Sequence, residues 1–385
     1  VTTPPRIAID YTPAYEKAGI GRLVREMIGA YGRLPSSISD DVRLFVAGAG
    51  SNSFPQLPNR QFTWHTTALS AEWLIRLWYR AHLPLPIETF VGRVDLFHAT
   101  NFMLPPVLPG TRTLLTVHDL SFARVPETAN ASLMALLNRV VPQSVRRATH
   151  IAADSEATRQ DLIALYNTPP EKITVIYSGV EGRFHPQPDR AAQAAVRARY
   201  EIDERPYILA VGTVQPRKNY GRLIQAAAEL RRRGHDIQVI FAGGKGWLDD
   251  PIYASMEASG MKGHVRFIGF ARDEDLPALY SAAALTAMPS LYEGFGLPVL
   301  EAMACGSPVI TSDISSLPEV AGDAALLIQP TDVGAIADAA QRVLTEPALR
   351  ASMIDKGLRQ ATRFTWEGAA VQLDALYAQV LGKKV

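Results

Sequence analysis

Short apolar runs alternate with stretches whose apolar residues recur every three or four positions, and the alternation continues along most of the chain. It predicts strand after helix after strand. Arg6–Asp10 reads as a buried strand, Tyr11–Gly21 as a loop, and Arg22–Gly32 as a helix carrying Leu23, Met27, Ile28 and Tyr31. Val42–Gly48, Asp95–Ala99, Thr113–Val117, His150–Ala153 and Ile173–Tyr177 read as further strands. Helices are predicted over 71–83, 131–148 and 157–166, the last started by Ser155, and a polar, Pro-rich loop over Gly50–Arg60.

Residues 181–205 change character. They hold Pro186, Pro188 and a polar helix, Ala191–Tyr200, and read as a linker into a second domain. The plan then repeats. Strands are predicted at Tyr207–Gly212, Ile237–Gly243, Val265–Gly269, Leu285–Met288, Ser307–Thr311 and Ala324–Ile328. Helices are predicted at Tyr220–Arg233, Leu276–Ala283, Val333–Thr345, Pro347–Gln360 and Trp366–Leu381. Strands alternating with helices imply parallel sheets with right-handed crossovers. The expected fold class is therefore α/β, with two Rossmann-like domains over 1–185 and 186–365, and with ligands at the C-terminal strand ends in a cleft between them.

Composition narrows the function classes. The chain has 385 residues, 47% hydrophobic and 20% charged, which suits a folded globular protein of two domains. A net charge of +1 gives no global field for nucleic acid. The single cysteine, Cys305, sits among small apolar neighbours and reads as a core position. Residues 1–10 lack the charged start and apolar run of a signal peptide, and no apolar run of about 18 residues occurs. A cytoplasmic location is the expectation. Trp73, Trp78, Arg76 and Arg80 on one helix fit either core packing with snorkelling arginines or a peripheral contact at the inner face of a membrane.

The stretch Pro289–Glu319 carries the most informative chemistry. Glu293 precedes a Gly294-Phe295-Gly296 turn, Pro298 opens a helix, and Glu301 lies in its first turns. A helix start aims backbone N–H groups and positive dipole outward, which suits phosphate. Two carboxylates there are better read as acceptors for hydroxyl groups, so the pair suggests a nucleotide sugar; the same residues also fit a solvated turn and an amphipathic helix. Arg217 and Lys218 follow the first strand of the second half, with Asn219 placed to cap the next helix. Two cations there suit a diphosphate, one as a planar fork and one as a point charge, or are a solvated basic loop. His118-Asp119 ends the strand Thr113–Val117; His118 could donate to a sugar hydroxyl or stabilise a leaving group with Asp119 orienting it, or the pair could only tie down a loop. Gly19 and Gly21 either let backbone approach a ligand or make a tight turn. Asp273-Glu274-Asp275 reads as helix capping rather than a metal triplet. The eight histidines lack metal-ligand spacing, and no covalent-hydrolase or Walker motif occurs.

With these residues placed, the sequence resembles the family 4 retaining glycosyltransferases, enzymes of the two-domain GT-B fold, along nearly its whole length. The resemblance rests most on Glu293 to Glu301, which looks like the family's Glu-x7-Glu signature. Supporting it are Val211-Gly212 with Pro216-Arg217-Lys218-Asn219, Val175 to Val180, Thr116 to Leu120, and Gly19-Ile20-Gly21-Arg22. It implies catalytic roles for His118, Glu293, Lys218 and Arg217: Glu293 on the donor sugar's hydroxyls, Lys218 and Arg217 on the diphosphate, His118 at the reacting face. It implies donor contacts at Gly19, Gly21, Thr213, Phe270, Gly294, Phe295, Gly296 and Leu297, with Glu301 on the ribose diol and Phe270 near the base. It also implies that the C-terminal helix, 366–383, packs back on the first domain. Thr213 and Gln215 stand where some relatives carry arginine and glutamate, which shifts the burden of charge to Arg217 and Lys218.

What the resemblance implies is transfer of a hexose, with retention, from a nucleotide diphosphate sugar to a glycan or lipid-linked hydroxyl, with no cofactor, no metal and no protein nucleophile. Val117–Phe122 and Gly243–Trp247 look most like bacterial mannosyltransferases of polysaccharide biosynthesis, which favours GDP-mannose over UDP-glucose or UDP-N-acetylglucosamine. A UDP-sugar epimerase of the same fold is the nearest alternative. A dinucleotide oxidoreductase is disfavoured by the missing GxGxxG, and a two-domain binding protein would need export.

Overall fold

The computed structural model describes residues 4–16, 19–35, 37–39, 41–48, 57 and 62–383. The expected loop Gly50–Arg60 lies, apart from Leu57, outside them. The chain divides into two units. The first comprises Val1–Leu120, Ala135–Gly179 and Thr365–Val385; the second comprises Ser121–Met134 and Val180–Phe364.

The first unit holds one parallel sheet of β1 (Arg6–Asp10), β2 (Asp41–Ala47), β3 (Thr63–Thr67), β4 (Leu96–Ala99), β5 (Arg112–Val117), β6 (His150–Ala153) and β7 (Ile173–Val175), in the order β3-β2-β1-β4-β5-β6-β7. The central β1 has Ile7, Ala8 and Ile9 fully buried, as a parallel strand covered on both faces requires. The edge strand β3, Thr-Trp-His-Thr-Thr, is not among the predicted strands, because it carries no apolar periodicity. The first helix begins at Gly19 rather than Arg22. The helix expected over 71–83 is shorter and divided, an α-helical Ala71–Ile75 followed by a π-helical turn, Arg76–Arg80. Leu74 and Tyr79 are buried there, in line with core packing, while Trp73 is 55% exposed. The C-terminal helix Trp366–Val380 belongs to this unit: Tyr31 donates to Asp374 at 3.1 Å, and the Tyr377 hydroxyl lies 2.8 Å from His98 Nδ1.

The second unit holds β8 (Tyr207–Val211), β9 (Gln238–Ala242), β10 (Val265–Gly269), β11 (Leu285–Met288), β12 (Val309–Ser312) and β13 (Ala325–Ile328), again all parallel, in the order β10-β9-β8-β11-β12-β13. The chain passes between units after Gly179, earlier than residue 185, because Phe184 is buried in the core of the second unit and Val180 N–H bonds the Phe364 carbonyl at 3.1 Å. Ser121–Met134 is counted with this unit too; Trp247 Nε1 donates to the Thr128 carbonyl at 2.9 Å. Asp275 stands at the N-cap of the helix Leu276–Ser281 but makes no side-chain cap bond. Its carboxylate instead accepts from Tyr200 Oη at 2.8 Å and pairs with Arg199. In each sheet the strand order reverses once, between β1 and β4 and between β8 and β11, and the crevice beyond the carboxyl ends there is where such sheets take ligands.

Candidate active site

At the β8/β11 reversal, three charged side chains from two loops meet. Arg217 and Lys218 lie on a short 3-10 turn after β8, and Glu293 lies beyond β11. Lys218 Nζ is 2.8 Å from Glu293 Oε1, and Arg217 Nη1 is 2.7 Å from Glu293 Oε2. Arg217 also donates to the Tyr292 carbonyl at 2.6 Å, and Leu291 N–H bonds the Arg217 carbonyl at 2.8 Å, so the two loops are stitched together. Lys218 and Glu293 are buried. Burial alone would raise the Glu293 pKa; the flanking Arg217 and Lys218 outweigh it and hold the carboxyl down at about 2. Glu293 is therefore ionised at any working pH, and the triad carries a net charge of about +1.

Local structure explains how the loops reach this geometry. Gly212 has φ +143°, and a Cβ there would meet Lys218 Cε at 2.9 Å, so the lysine stem lies against bare backbone. Asn219 does not cap the following helix with its side chain. Its backbone is left-handed at φ +59°, and Nδ2 donates to the carbonyls of Pro289 at 2.9 Å and Pro330 at 2.6 Å, binding the exits of β8, β11 and β13 to one another. The Gly-Phe-Gly turn is held from β12's exit: Ser315 Oγ accepts from Glu293 N–H at 3.0 Å, and Ser316 Oγ donates to the carbonyls of Glu293 at 2.9 Å and Phe295 at 2.7 Å. Gly296, φ +118°, is the N-cap of the helix Leu297–Ala304, with Pro298 at its start. Phe295 is buried against Phe364, which leaves backbone as the part of Phe295 able to meet a ligand. Gly294 lies in the same turn, and Thr213 is half-buried after β8. Glu301 is buried on the helix, where its Oε2 accepts from Tyr280 Oη at 2.8 Å. Phe270 is 65% exposed after β10, its ring resting on Gly244, where a Cβ would come within 2.2 Å of it. The structure thus gathers Arg217, Lys218 and Glu293 into direct contact and sets Thr213, Phe270, Gly294–Leu297 and Glu301 at or after strand ends of the same unit.

His118, Gly19 and Gly21 belong to the first unit. The partner of His118 is Asp154, not the adjacent Asp119: Nδ1 lies 2.8 Å from Asp154 Oδ2, and Nε2 lies 2.8 Å from the Thr100 carbonyl oxygen. A carbonyl only accepts, and so does a carboxylate, so both ring nitrogens carry hydrogen and His118 is an imidazolium. Burial opposes that charge most strongly, yet Asp154 and the Thr100 carbonyl together raise the His118 pKa above its ordinary value. The neighbouring His98 goes the other way: burial, with the His118 charge, drops its pKa to about 3. The two N–H groups of His118 are spent on the protein rather than offered at a surface, because three strand ends, those of β4, β5 and β6, converge on the ring. Both histidines and Asp154 line a cavity of this unit beside Trp366 and Leu373. The raised pKa has a sign: the His118–Asp154 contribution to stability is complete below the unfolded pKa near 6.5 and is lost as pH rises through the folded value. Melting temperatures followed upward from about pH 6.5 should fall in the wild type, and Asp154→Asn should flatten that fall.

Gly21 is required by the chain itself. A Cβ there would lie 2.1 Å from the Glu16 carbonyl oxygen and 2.8 Å from that of Pro13, so the close approach of the preceding turn requires glycine. Gly19 opens the helix, and among the described residues a Cβ there would meet no atom within 4 Å beyond its chain neighbours and its own helix. Cys305 is buried with its thiol pKa pushed up by burial. Among the described residues no cluster of three or more His, Cys, Asp or Glu could hold a metal ion, and no helix is long and apolar enough to cross a membrane. Two features escape the sequence reading: Asp154 and Tyr280 have no motif to mark them, one being a strand-end carboxylate and the other a core-like aromatic.

Comparison with known proteins identifies the family and the fold. A family model described as Glycosyltransferase Family 4 matches residues 18–182, and one described as Glycosyl transferases group 1 matches residues 193–360. The O-antigen chain mannosyltransferase B of Escherichia coli is 36% identical over 281 residues, 72% of this chain and 72% of that protein. A D-inositol 3-phosphate glycosyltransferase of Salinispora arenicola is 34% identical over 312 residues, 75% of this chain and 70% of its own. Among solved structures, sucrose-phosphate synthase from Thermosynechococcus elongatus superposes with a TM-score of 0.75 at 22% identity, covering 98% of this chain and 99% of that one. WaaG, a glycosyltransferase involved in lipopolysaccharide biosynthesis, gives 0.72 at 18% identity over 96% and 99%. The architecture is GT-B, and the chain belongs to glycosyltransferase family 4.

Proposed function

We propose that this glycosyltransferase moves mannose from GDP-mannose to a hydroxyl of a glycan or lipid-linked acceptor, with retention at the anomeric carbon and without a metal or other cofactor. The observation that carries the reading is the Arg217–Lys218–Glu293 triad at the β8/β11 reversal, its lysine and carboxylate buried and its arginine half-buried. A sugar diphosphate needs positive charge, and Arg217 and Lys218 supply it without a divalent ion. The bond from anomeric carbon to diphosphate oxygen breaks as the bond to the acceptor oxygen forms. The acceptor's proton passes to the departing phosphate on the same face of the sugar. Charge growing on that phosphate is met by Lys218, Arg217 and the helix start at Leu297–Pro298, preorganised before the reaction begins. Glu293 orients the two cations and accepts from sugar hydroxyls; Glu301 accepts from the ribose diol; Phe270, standing exposed on Gly244, offers a face to the base. His118 acts as a fixed positive charge, since donation to a sugar hydroxyl would first require Nε2 to leave the Thr100 carbonyl.

Mannose is favoured by the name of the Escherichia coli relative. A UDP-sugar donor is the second reading, supported by a solved neighbour of this fold captured with UDP and glucose. The deciding experiment offers GDP-mannose, UDP-glucose and UDP-N-acetylglucosamine in EDTA, follows nucleotide release with glycan and lipid-linked acceptors, and reads the product's anomeric configuration by NMR. GDP release with an α-linked product is expected; sugar conversion without an acceptor would establish the epimerase instead.

The proposal includes a peripheral membrane contact at the inner leaflet, for a lipid-linked acceptor. Trp73, Leu69 and Leu83 are exposed in the first unit, and the Arg76 guanidinium lies 5.0 Å over the Trp73 ring, with Arg80 exposed beside them. Aromatic and basic groups together suit an anionic lipid surface. Wild-type protein should co-sediment with vesicles containing anionic lipid, and Trp73→Glu should reduce that by about fivefold, the size of one surface charge contact. Equal sedimentation with neutral vesicles would remove this contact from the account.

A further inference from the structure

We infer that Tyr280 is a positioning residue for nucleotide binding: its hydroxyl fixes the Glu301 carboxylate in the orientation that receives the cis-diol of a ribonucleoside diphosphate. The inference rests on the reading that Glu301 takes the ribose. A carboxylate on a short helix ordinarily has several rotamers open to it. Glu301 is buried, so its charge must be satisfied by fixed donors, and Tyr280 Oη donates to Oε2 at 2.8 Å. The donor is itself immobile. Tyr280 is fully buried, with Phe184 edge-on at 6.1 Å, and Tyr207 Oη donates to the carbonyl of Leu279 at 2.6 Å, which pins the Leu276–Ser281 helix. The next residue adds a second tie between the two helices: Ser281 Oγ donates to the Cys305 carbonyl at 3.0 Å. The tyrosine hydroxyl is thus not the sole link between its helix and the Glu301 helix, and its specific effect is on the direction of one carboxylate. A diol needs two acceptor directions held at once, and a carboxylate with one oxygen already anchored presents them without paying rotamer entropy on binding.

Calorimetric titration of GDP and UDP, each beside its dideoxyribose counterpart, tests this on wild type, Tyr280→Phe and Glu301→Gln, with melting temperatures measured in parallel. Tyr280→Phe should weaken the ribonucleotide by about tenfold, the lower range for a hydrogen bond to a charged group. The dideoxy nucleotide should bind wild type and Tyr280→Phe alike. In turnover, donor KM should rise while kcat stays within about twofold, as expected for a lost binding interaction. Equal weakening of both nucleotides in Tyr280→Phe would mark a general structural role and overturn the inference, as would unchanged ribonucleotide binding. Glu301→Gln binding both nucleotides like wild type would instead overturn the ribose reading beneath it, which separates the two failures.

Discussion

Lys218→Ala should lower kcat by ~10²–10³, the usual cost of removing one preorganised donor from a developing oxyanion. The lysine is buried, it touches Glu293 at 2.8 Å, and its stem lies against Gly212. Its loss therefore removes a desolvated charge, which is worth more than a solvated one. Lys218→Arg should not restore activity, because a planar fork replaces a compact ammonium in a space bounded by backbone. Steady-state kinetics with saturating donor reads the effect. A Lys218→Ala enzyme within a few-fold of wild-type kcat would mean that the diphosphate departs elsewhere.

The second large effect is on stability. Glu293→Ala removes the carboxylate between Arg217 and Lys218, all three at least mostly buried. Removing one partner of a buried ion pair costs about 3–5 kcal/mol, so the melting temperature should fall by roughly 6–20 °C. Pyrophosphate should then stabilise Glu293→Ala more than wild type, since an anion can take the place of the missing carboxylate. Glu293→Gln, which keeps shape and accepting oxygen, should recover part of the loss in stability but little activity. Wild-type melting in Glu293→Ala would contradict the triad's geometry. Acid sensitivity has the same origin. The Glu293 pKa is depressed to about 2, so its stabilisation is complete above the unfolded carboxyl value and disappears as pH falls through about 2.

The parallel α/β plan was legible because buried parallel strands are written as short apolar runs, and all the predicted strands recur with small shifts in their ends. β3 was not legible, since an edge strand of threonines has no face to declare. The phosphate-friendly turn was legible too: Gly296 takes a left-handed φ, and Pro298 sits where a helix start tolerates it. Contacts between distant positions were not. Lys218 and Glu293 are 75 residues apart, and a sequence that shows each beside its own neighbours does not show that they touch. Adjacency misled at His118, where Asp119 is next in the chain but Asp154, on the neighbouring strand's exit, points at the ring. It misled again at Asn219 and Asp275, which occupy capping positions but spend their side chains on carbonyls and on Tyr200 and Arg199. In each case the tertiary partner offered a better-satisfied bond than the local one.

In the proposed mechanism Arg217 and Lys218 hold the diphosphate of a nucleotide sugar. Calorimetric titration of GDP-mannose in EDTA, into wild type and into Arg217→Ala/Lys218→Ala, tests it most directly. Saturable binding of one donor per wild-type chain is expected, competed by pyrophosphate, and weakened by at least about a hundredfold in the double variant. No binding of GDP-mannose or any other nucleotide sugar by the wild type, or equal binding by the double variant, would contradict it.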